Sequence, residues 1–387
     1  MQHVEMSTPR ESTSISSSIY DGLVHDIATL DRDGGLFVGI NQDQSATADT
    51  AAVFAGRSGS STDGAEFSFG TPEIYGGVYS MAPAISRLDS TSFIIAYFDN
   101  RDNGGPIVAV RYGTVDTDTL AITLSDEVVV ADNSAYAVTF TLVGLSEDRF
   151  MIAYYNGTTT SSDGVQYGPL TVLSGRVEAG QVSVGLQDEQ MATLPNNIAF
   201  RVAGTRVSDT SAIIVFGEMS TNYGVTAVMA SVEDRGEGGV SSEVVVLGSV
   251  HRVSSGGSFA GIQQGVLMDL DVEAVGALAV GEALGDDVNG AAVKFAVLYS
   301  DFSNSAKMTL SVGMITQSGE LHSIGPDYVL SAGRSYPEEL FSYGGLALQG
   351  GQEGATFPGF QVGVATAVAA ADCTSVSTGA AAEIFTT

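Results

Sequence analysis

Short apolar runs, rich in β-branched and aromatic residues and bounded by small polar ones, recur along this chain of 387 residues. The clearest are Ser92-Phe93-Ile94-Ile95-Ala96-Tyr97-Phe98-Asp99 and Arg149-Phe150-Met151-Ile152-Ala153-Tyr154-Tyr155-Asn156. Ser211-Ala212-Ile213-Ile214-Val215-Phe216-Gly217-Glu218 and Phe295-Ala296-Val297-Leu298-Tyr299-Ser300-Asp301 repeat the pattern, and Leu36-Phe37-Val38-Gly39-Ile40-Asn41 is a degenerate first copy. Runs of this length and composition between turn signals predict buried strands rather than helices. Asp31-Arg32-Asp33-Gly34-Gly35, Asp89-Ser90-Thr91, Ser146-Glu147-Asp148 and Ser208-Asp209-Thr210 supply the preceding turns. Asx and Ser side chains there bond their own backbone and tolerate left-handed geometry.

Each run has companions. An inner strand precedes it, as in Pro83-Ala84-Ile85-Ser86-Arg87-Leu88, Val138-Thr139-Phe140-Thr141-Leu142 and Ala199-Phe200-Arg201-Val202. A strand with a small residue two places before an aliphatic one follows: Gly113-Thr114-Val115, Gly175-Arg176-Val177, Ala230-Ser231-Val232 and Gly313-Met314-Ile315. Glycine there predicts the close approach of another backbone. An outer strand completes the unit, at 125–130, 181–184, 242–246 and 327–330. Four antiparallel strands per unit is the size of one propeller blade, so the expected fold is all-β, a propeller-like array of five to six units.

The units are predicted at about 19–75, 80–130, 136–190, 197–248 and 258–333, so that the repeat domain covers 19–336. The motif recurs after 57, 57, 62 and 83 residues, counted from Leu36 through Phe93, Phe150 and Ala212 to Phe295. The last step implies an insertion, with 255–265 and 275–288 as its candidates. The Gly/Ala-rich segment 337–387 either closes the ring as a further unit or docks on a neighbouring copy. A variant reading divides the chain into two pseudo-equivalent β domains near residue 190. Residues 1–18 read as a disordered polar arm whose targeting leader has been removed.

Charge narrows the function. Acidic residues outnumber basic ones 45 to 15, for a net charge of −30, a field that repels nucleic acid and anionic membranes. No apolar run is long enough for a transmembrane helix. Only 16% of residues are charged and the mean hydropathy is +0.19. This combination implies that neutral surface is buried somewhere, and self-association is one place for it. The single cysteine, Cys373, excludes a scaffold of intrachain disulfides.

Candidate chemistry is sparse. His3, His25, His251 and His322 lack metal-ligand spacing, and there is no nucleophile elbow, phosphate-binding loop or dinucleotide fingerprint. Cys373 lies in an Ala-rich stretch without a neighbouring histidine and reads as a structural thiol. Asp99, Asp102, Asp286 and Asp287 offer oxygen ligands for calcium, although turn chemistry accounts for each of them. Ser61-Thr62-Asp63-Gly64 is a fragment of the sialidase-type Asp box, and Asn156-Gly157-Thr158 is a glycosylation sequon. Arg87, Arg111, Arg201 and Arg206 recur near inner strands and are expected to satisfy buried carboxylates or carbonyls. Tyr97, Tyr154 and Tyr299 hold equivalent positions and are expected to pack between units, with a sugar-lining role as the alternative. No catalytic residue, cofactor or committed metal site is predicted.

In overall character, through the repeats at 80–130 and 136–185 and the stretch Phe357-Pro358-Gly359-Phe360-Gln361-Val362-Gly363-Val364-Ala365, the chain resembles the diatom pyrenoid shell proteins. These chloroplast proteins self-assemble into sheets around the Rubisco condensate. The resemblance implies a lattice subunit that limits CO2 leakage in the chloroplast stroma, at the pyrenoid periphery. Its partners would be copies of itself and Rubisco or another stromal protein, and Phe357, Phe360, Val362 and Val364 are its assembly candidates. Two other functions stay open: a carbohydrate-binding propeller at a marine microbial cell surface, and a polysaccharide hydrolase or lyase.

Overall fold

The computed structural model describes residues 23–31, 35–42, 51–61, 64–76, 80–101, 105–131, 140–155, 159–160, 166–185, 191–218, 224–234, 243–253, 270–280, 290–301, 307–316, 319–323, 328–334, 336–342 and 362–367. Every regular element among them is a β-strand. Unit 1 comprises β1 (Leu23–Asp31), β2 (Leu36–Gln42), β3 (Ala51–Ser61), β4 (Gly64–Phe69) and β5 (Glu73–Gly76). Unit 2 comprises β6 (Ser80–Arg87), β7 (Ser92–Arg101), β8 (Gly105–Val115), β9 (Ile122–Leu124) and β10 (Val128–Ala131). Unit 3 comprises β11 (Phe140–Ser146), β12 (Arg149–Tyr155), the short β13 (Thr159–Thr160), β14 (Gln166–Glu178) and β15 (Gln181–Val184). The long β16 (Met191–Ser208) leads into unit 4, with β17 (Ser211–Glu218), β18 (Gly224–Asp234), β19 (Glu243–Leu247) and β20 (His251–Arg252). Unit 5 comprises β21 (Leu270–Val280), β22 (Gly290–Asp301), β23 (Lys307–Ile315), β24 (Leu321–Ser323) and β25 (Tyr328–Arg334). An antiparallel pair, β26 (Tyr336–Ser342) and β27 (Val362–Ala367), follows.

The five predicted runs form β2, β7, β12, β17 and β22, each the second strand of its unit and antiparallel to its neighbours. The inner strands β1, β6, β11, β16, β21 and β26 pack neighbour against neighbour in sequence order. This is a β-propeller-like array of sheets stacked face to face.

Stacking explains why the motif is continuously apolar. Successive strand residues point to opposite faces, and units 2, 3 and 4 each lie between two others. In β7, Phe93, Ile95 and Tyr97 join the core shared with unit 1, whereas Ile94, Ala96 and Phe98 join the core shared with unit 3. In β12, Phe150, Ile152 and Tyr154 face unit 2, and Met151 and Ala153 face unit 4. In β17, Ala212, Ile214 and Phe216 face unit 3, and Ile213 and Val215 face unit 5. Phe295, Val297 and Tyr299 of β22 face unit 4. The recurrent aromatic positions thus always point toward the preceding unit.

The strand glycines serve a purpose different from the expected backbone contact. Phe93 lies directly across from Gly113, Phe150 from Gly175, Phe295 from Gly313 and Phe37 from Gly56. A Cβ built on any of these glycines would run into the phenyl ring opposite. The ring covers the bare backbone of its partner, as aromatic residues do for glycine in sheets, and the missing side chain makes room for it. Unit 4 solves the same problem with two small residues, Ala212 opposite Ala230. Close backbone approach does occur, but elsewhere. Gly70 and Gly144 abut the carbonyls of Leu120 and Arg87 in a neighbouring unit, and the Gly144 amide donates to Ser86 Oγ at 2.8 Å.

The turns before the motif behave as predicted. Asp89 Oδ1 accepts the amides of Thr91 and Ser92 at 2.7 and 2.8 Å, and the Thr210 amide donates to Ser208 Oγ at 3.2 Å. Each turn is also tied to the third strand. The amides of Val115, Val177 and Val232 donate to the carbonyls of Thr91, Asp148 and Thr210, each at 2.8 Å.

The outer strand departs from the prediction in every unit, because it is two pieces rather than one. β9 pairs with Gly113, Thr114 and Val115, while β10 pairs with the other end of β8. β4 and β5 divide β3 in the same way, β19 and β20 divide β18, and β24 and β25 divide β23. In unit 3 the two pieces are β15 and the start of β16. At the break the amides of Gly70, Ser125, Gly185 and Gly248 each bond the carbonyl of the residue just before the equivalent small residue of the third strand. Pieces of two to seven residues carry too little pattern to stand out in sequence.

Two further expectations are corrected. Residues 275–280 of the 275–288 insertion candidate belong instead to inner strand β21, with Ala277 to Val280 paired to β22, and 281–288 lie outside the described residues. The chain also does not divide near residue 190. β16 pairs through Met191, Ala192, Thr193 and Leu194 with β14, and through its later residues with β17, which merges units 3 and 4 into one ten-stranded sheet. The arm at 1–18, the 255–265 candidate and Cys373 lie outside the described residues.

Coupling between ring and glycine is measurable by chemical denaturation. Gly175→Ala forces a methyl against Phe150 and should cost about 1–3 kcal/mol, and Phe150→Ala should cost about 3–5 kcal/mol. The double variant recreates the Ala–Ala pair of unit 4 and should lose less than the sum of the two. Strict additivity would show that ring and glycine act independently.

Candidate functional site

Polar side chains gather at three boundaries between units. The most buried cluster joins units 3 and 4. Arg149 opens β12, and its cross-strand partner on β14 is Arg176. Both reach the next unit, where Glu243 opens β19. Glu243 Oε1 accepts Arg149 Nε at 2.7 Å and Arg176 Nε at 2.6 Å, and its side chain is fully buried. Arg176 also bonds Asp148 Oδ2 at 3.4 Å. Glu243 Oε2 is buried with no hydrogen-bond partner. A carboxylate removed from water is tolerated because two guanidiniums compensate it.

The second cluster lies between units 1 and 2. Tyr97 donates to Glu127 Oε2 at 2.5 Å and accepts from Arg111 Nε at 3.3 Å. Its ring stands 5.0 Å from that of Tyr75, centroid to centroid. Burial raises the Tyr97 pKa first of all, the bond to Glu127 adds to this, and Arg111 opposes it. Tyr75 is raised by burial and by Tyr97, and its buried hydroxyl has no hydrogen-bond partner. Both phenols are therefore held neutral, and Tyr97 serves as a hydrogen-bonding group rather than a base.

The third cluster joins units 4 and 5. His251 Nε2 and Ser323 Oγ are 2.9 Å apart, and Glu320 Oε2 stands 3.8 Å from His322 Nε2. Burial lowers the His251 pKa below its ordinary 6.5, and the neighbouring His322 lowers it further. Among the described residues no group of three or more His, Cys, Asp and Glu side chains is placed to hold a metal ion, and no helix is long and apolar enough to cross a membrane.

All three clusters include residues of different units, and in the third an imidazole stands within hydrogen-bond reach of a serine hydroxyl. No family model and no curated protein matches the chain. Among solved structures it is similar to NanB sialidase from Streptococcus pneumoniae, with 11% identity and a TM-score of 0.44, over 83% of this chain and 63% of that one. Trypanosoma rangeli sialidase has 12% identity and a TM-score of 0.43, over 83% of this chain and 50% of that one. S. cerevisiae core factor has 8% identity and a TM-score of 0.38, over 80% and 40%. The chain thus spans less than two thirds of the length of each. Likeness this low does not carry an activity across, and function has to be argued from the chain's own groups.

The predicted residues fall as follows. Arg111 bonds Tyr97 and the Ser125 carbonyl, Arg87 Nε donates to the Asp89 carbonyl, and Arg206 pairs with Asp209. Arg201 lies in β16. Tyr97, Tyr154 and Tyr299 are buried in the cores between units, which is the packing role expected of them. Asp99 is buried near the end of β7, and Asp102, Asp286 and Asp287 lie outside the described residues. Val362 and Val364 fall in β27, while Phe357 and Phe360 also lie outside the described residues. Sequence reasoning missed Arg149, Arg176 and Glu243. Two arginines facing each other on adjacent strands of one unit were a visible signal, but the carboxylate between them is 94 residues from Arg149.

Glu243→Ala leaves the two guanidiniums short of their shared carboxylate and should cost about 3–5 kcal/mol in chemical denaturation. Arg206→Ala breaks a solvent-exposed pair and should cost under about 1 kcal/mol. The His251 proton gives a pH signature. The folded state binds this proton more weakly than the unfolded state does, so its contribution is complete above pH 6.5 and declines as pH falls below that value. Thermal denaturation of His251→Gln should show a shallower loss of stability between pH 7 and 5 than the parent. Parallel curves would exclude this group.

Proposed function

We propose that the chain is a non-catalytic structural protein that associates with copies of itself through the outer strands of its units. The observation supporting this is where its exposed aliphatic residues stand. Ile74 lies on β5, Val129 on β10 and Val246 on β19, with Val250 just beyond, at 52, 37, 39 and 42% exposure. β10 and β19 are sheet edges, and an edge strand offers unpaired backbone groups to a second chain. The positions that recur across the repeat are filled by packing and turn residues rather than by a reactive group. The net charge of −30 opposes contact between copies, so association requires salt or divalent cations to screen it. A sheet-like or tubular lattice around a Rubisco condensate is the finer reading, and it rests on the resemblance to diatom pyrenoid shell proteins.

A glycan-binding platform is the second reading. It is supported by the half-buried Glu127 and Arg111 beside Tyr97, an acceptor and a donor suited to sugar hydroxyls.

Negative-stain microscopy of the purified chain in divalent salt should show sheets or tubes, and Val129→Lys with Val246→Lys should leave dispersed particles of unchanged stability. Dispersed particles of the parent at high concentration would overturn the structural reading. A glycan-array signal lost in Glu127→Ala would establish the second.

A further inference from the structure

Two arginines occupy the same place in two units, and only one of them has a carboxylate. Arg176 follows Gly175, which lies opposite Phe150, and Arg57 follows Gly56, which lies opposite Phe37. Both stand on the face turned to the next unit. Arg57 continues the series Ala51, Val53 and Ala55, which packs with Ile122 and Leu120 of unit 2. Arg176 continues Leu170 and Val172, which pack with Val232 and Val245 of unit 4.

The pairing registers identify what should face each arginine. In unit 4, Val232 pairs with Val245, two residues after Glu243. In unit 2 the equivalent pair is Val115 with Ile122, and two residues earlier stands Leu120. A leucine therefore occupies the position from which Glu243 holds Arg176.

The consequence is visible at Arg57, whose Nε is buried without a hydrogen-bond partner. The nearby turn does not lend it an acid. Asp116 Oδ1 accepts the amides of Asp118 and Thr119 at 3.0 and 2.9 Å. Leu120 is held in the left-handed region at φ 58°, its amide on the Asp116 carbonyl. Ser68, across from Arg57 on β4, is exposed, so the position adjoins solvent.

We propose that Arg57 is a binding site for a carboxylate group at the boundary of units 1 and 2, a vacant counterpart of the internal Arg176–Glu243 contact. By strand register Arg57 holds the position of Arg176, whose Nε takes a carboxylate oxygen at 2.6 Å, and a charge-assisted bond to an external carboxylate would satisfy it. The carboxylate belongs either to a small organic acid or to an acidic side chain of a partner. The site does not depend on self-association.

The test is the arginine Nε–Hε region of the 1H–15N spectrum of the full chain, with the Arg57 signal assigned by its loss in Arg57→Gln. At constant ionic strength, sodium acetate and an acidic hexapeptide of glutamates should be titrated separately against sodium chloride. A saturable shift of the Arg57 signal with either carboxylate, and not with chloride, supports the site, and the probe that binds identifies the source. Leu120→Glu should move the Arg57 signal without any additive and abolish the response. An Arg57 signal that neither carboxylate shifts beyond chloride overturns the proposal on the parent chain alone, whether or not the variant folds.

Discussion

The structure depends on sheets being buried on both faces. No unit is thick enough to hold a core of its own, and units 2, 3 and 4 share their cores with the units before and after them. Rings solve the packing problem this creates. Phe37, Phe93, Phe150 and Phe295 each lie across a glycine of the adjacent strand, which keeps that face of the sheet level, and in units 2, 3 and 5 the preceding unit seats on it. Bulk given up at the glycine is returned at the phenylalanine, so the two positions vary together, and unit 4 shows the exchange completed with Ala212 and Ala230.

Hydrophobic faces fix distance but not rotation, because apolar contact is non-directional. The polar clusters supply direction. Glu243 between Arg149 and Arg176, Tyr97 among Glu127, Arg111 and Tyr75, and His251 beside Ser323 each join residues from different units. They differ completely in chemistry, although the strands that carry them are equivalent. The repeat therefore sets the architecture, and these three boundaries each carry a different tie.

Much of this was legible in the sequence, because what repeats is local. A strand of Phe-Ile-Ile-Ala-Tyr between Asx turns announces itself, and the bonds of Asp89 to Thr91 and Ser92 involve residues two and three apart. What stayed hidden is what depends on distant partners. Glu243 is one acid among 45, and nothing near it in sequence marks it as buried. The split outer strands were hidden for another reason: each piece borrows its partner from one half of a long strand, so neither half shows a full period. Gly113 and Gly175 were read as sites of backbone approach because the ring that fills the space lies on another strand.

β16 sets units 3 and 4 apart from the rest of the array. Elsewhere among the described residues, no backbone ladder joins adjoining units, and their contacts can be lost singly. At β16 a single strand is hydrogen-bonded into both sheets, so separating them would mean shearing a ladder of backbone bonds together. Under tension or in thermal breathing, these two units would move as one stiff plate, and the seams on either side of it would be the hinges where the array yields.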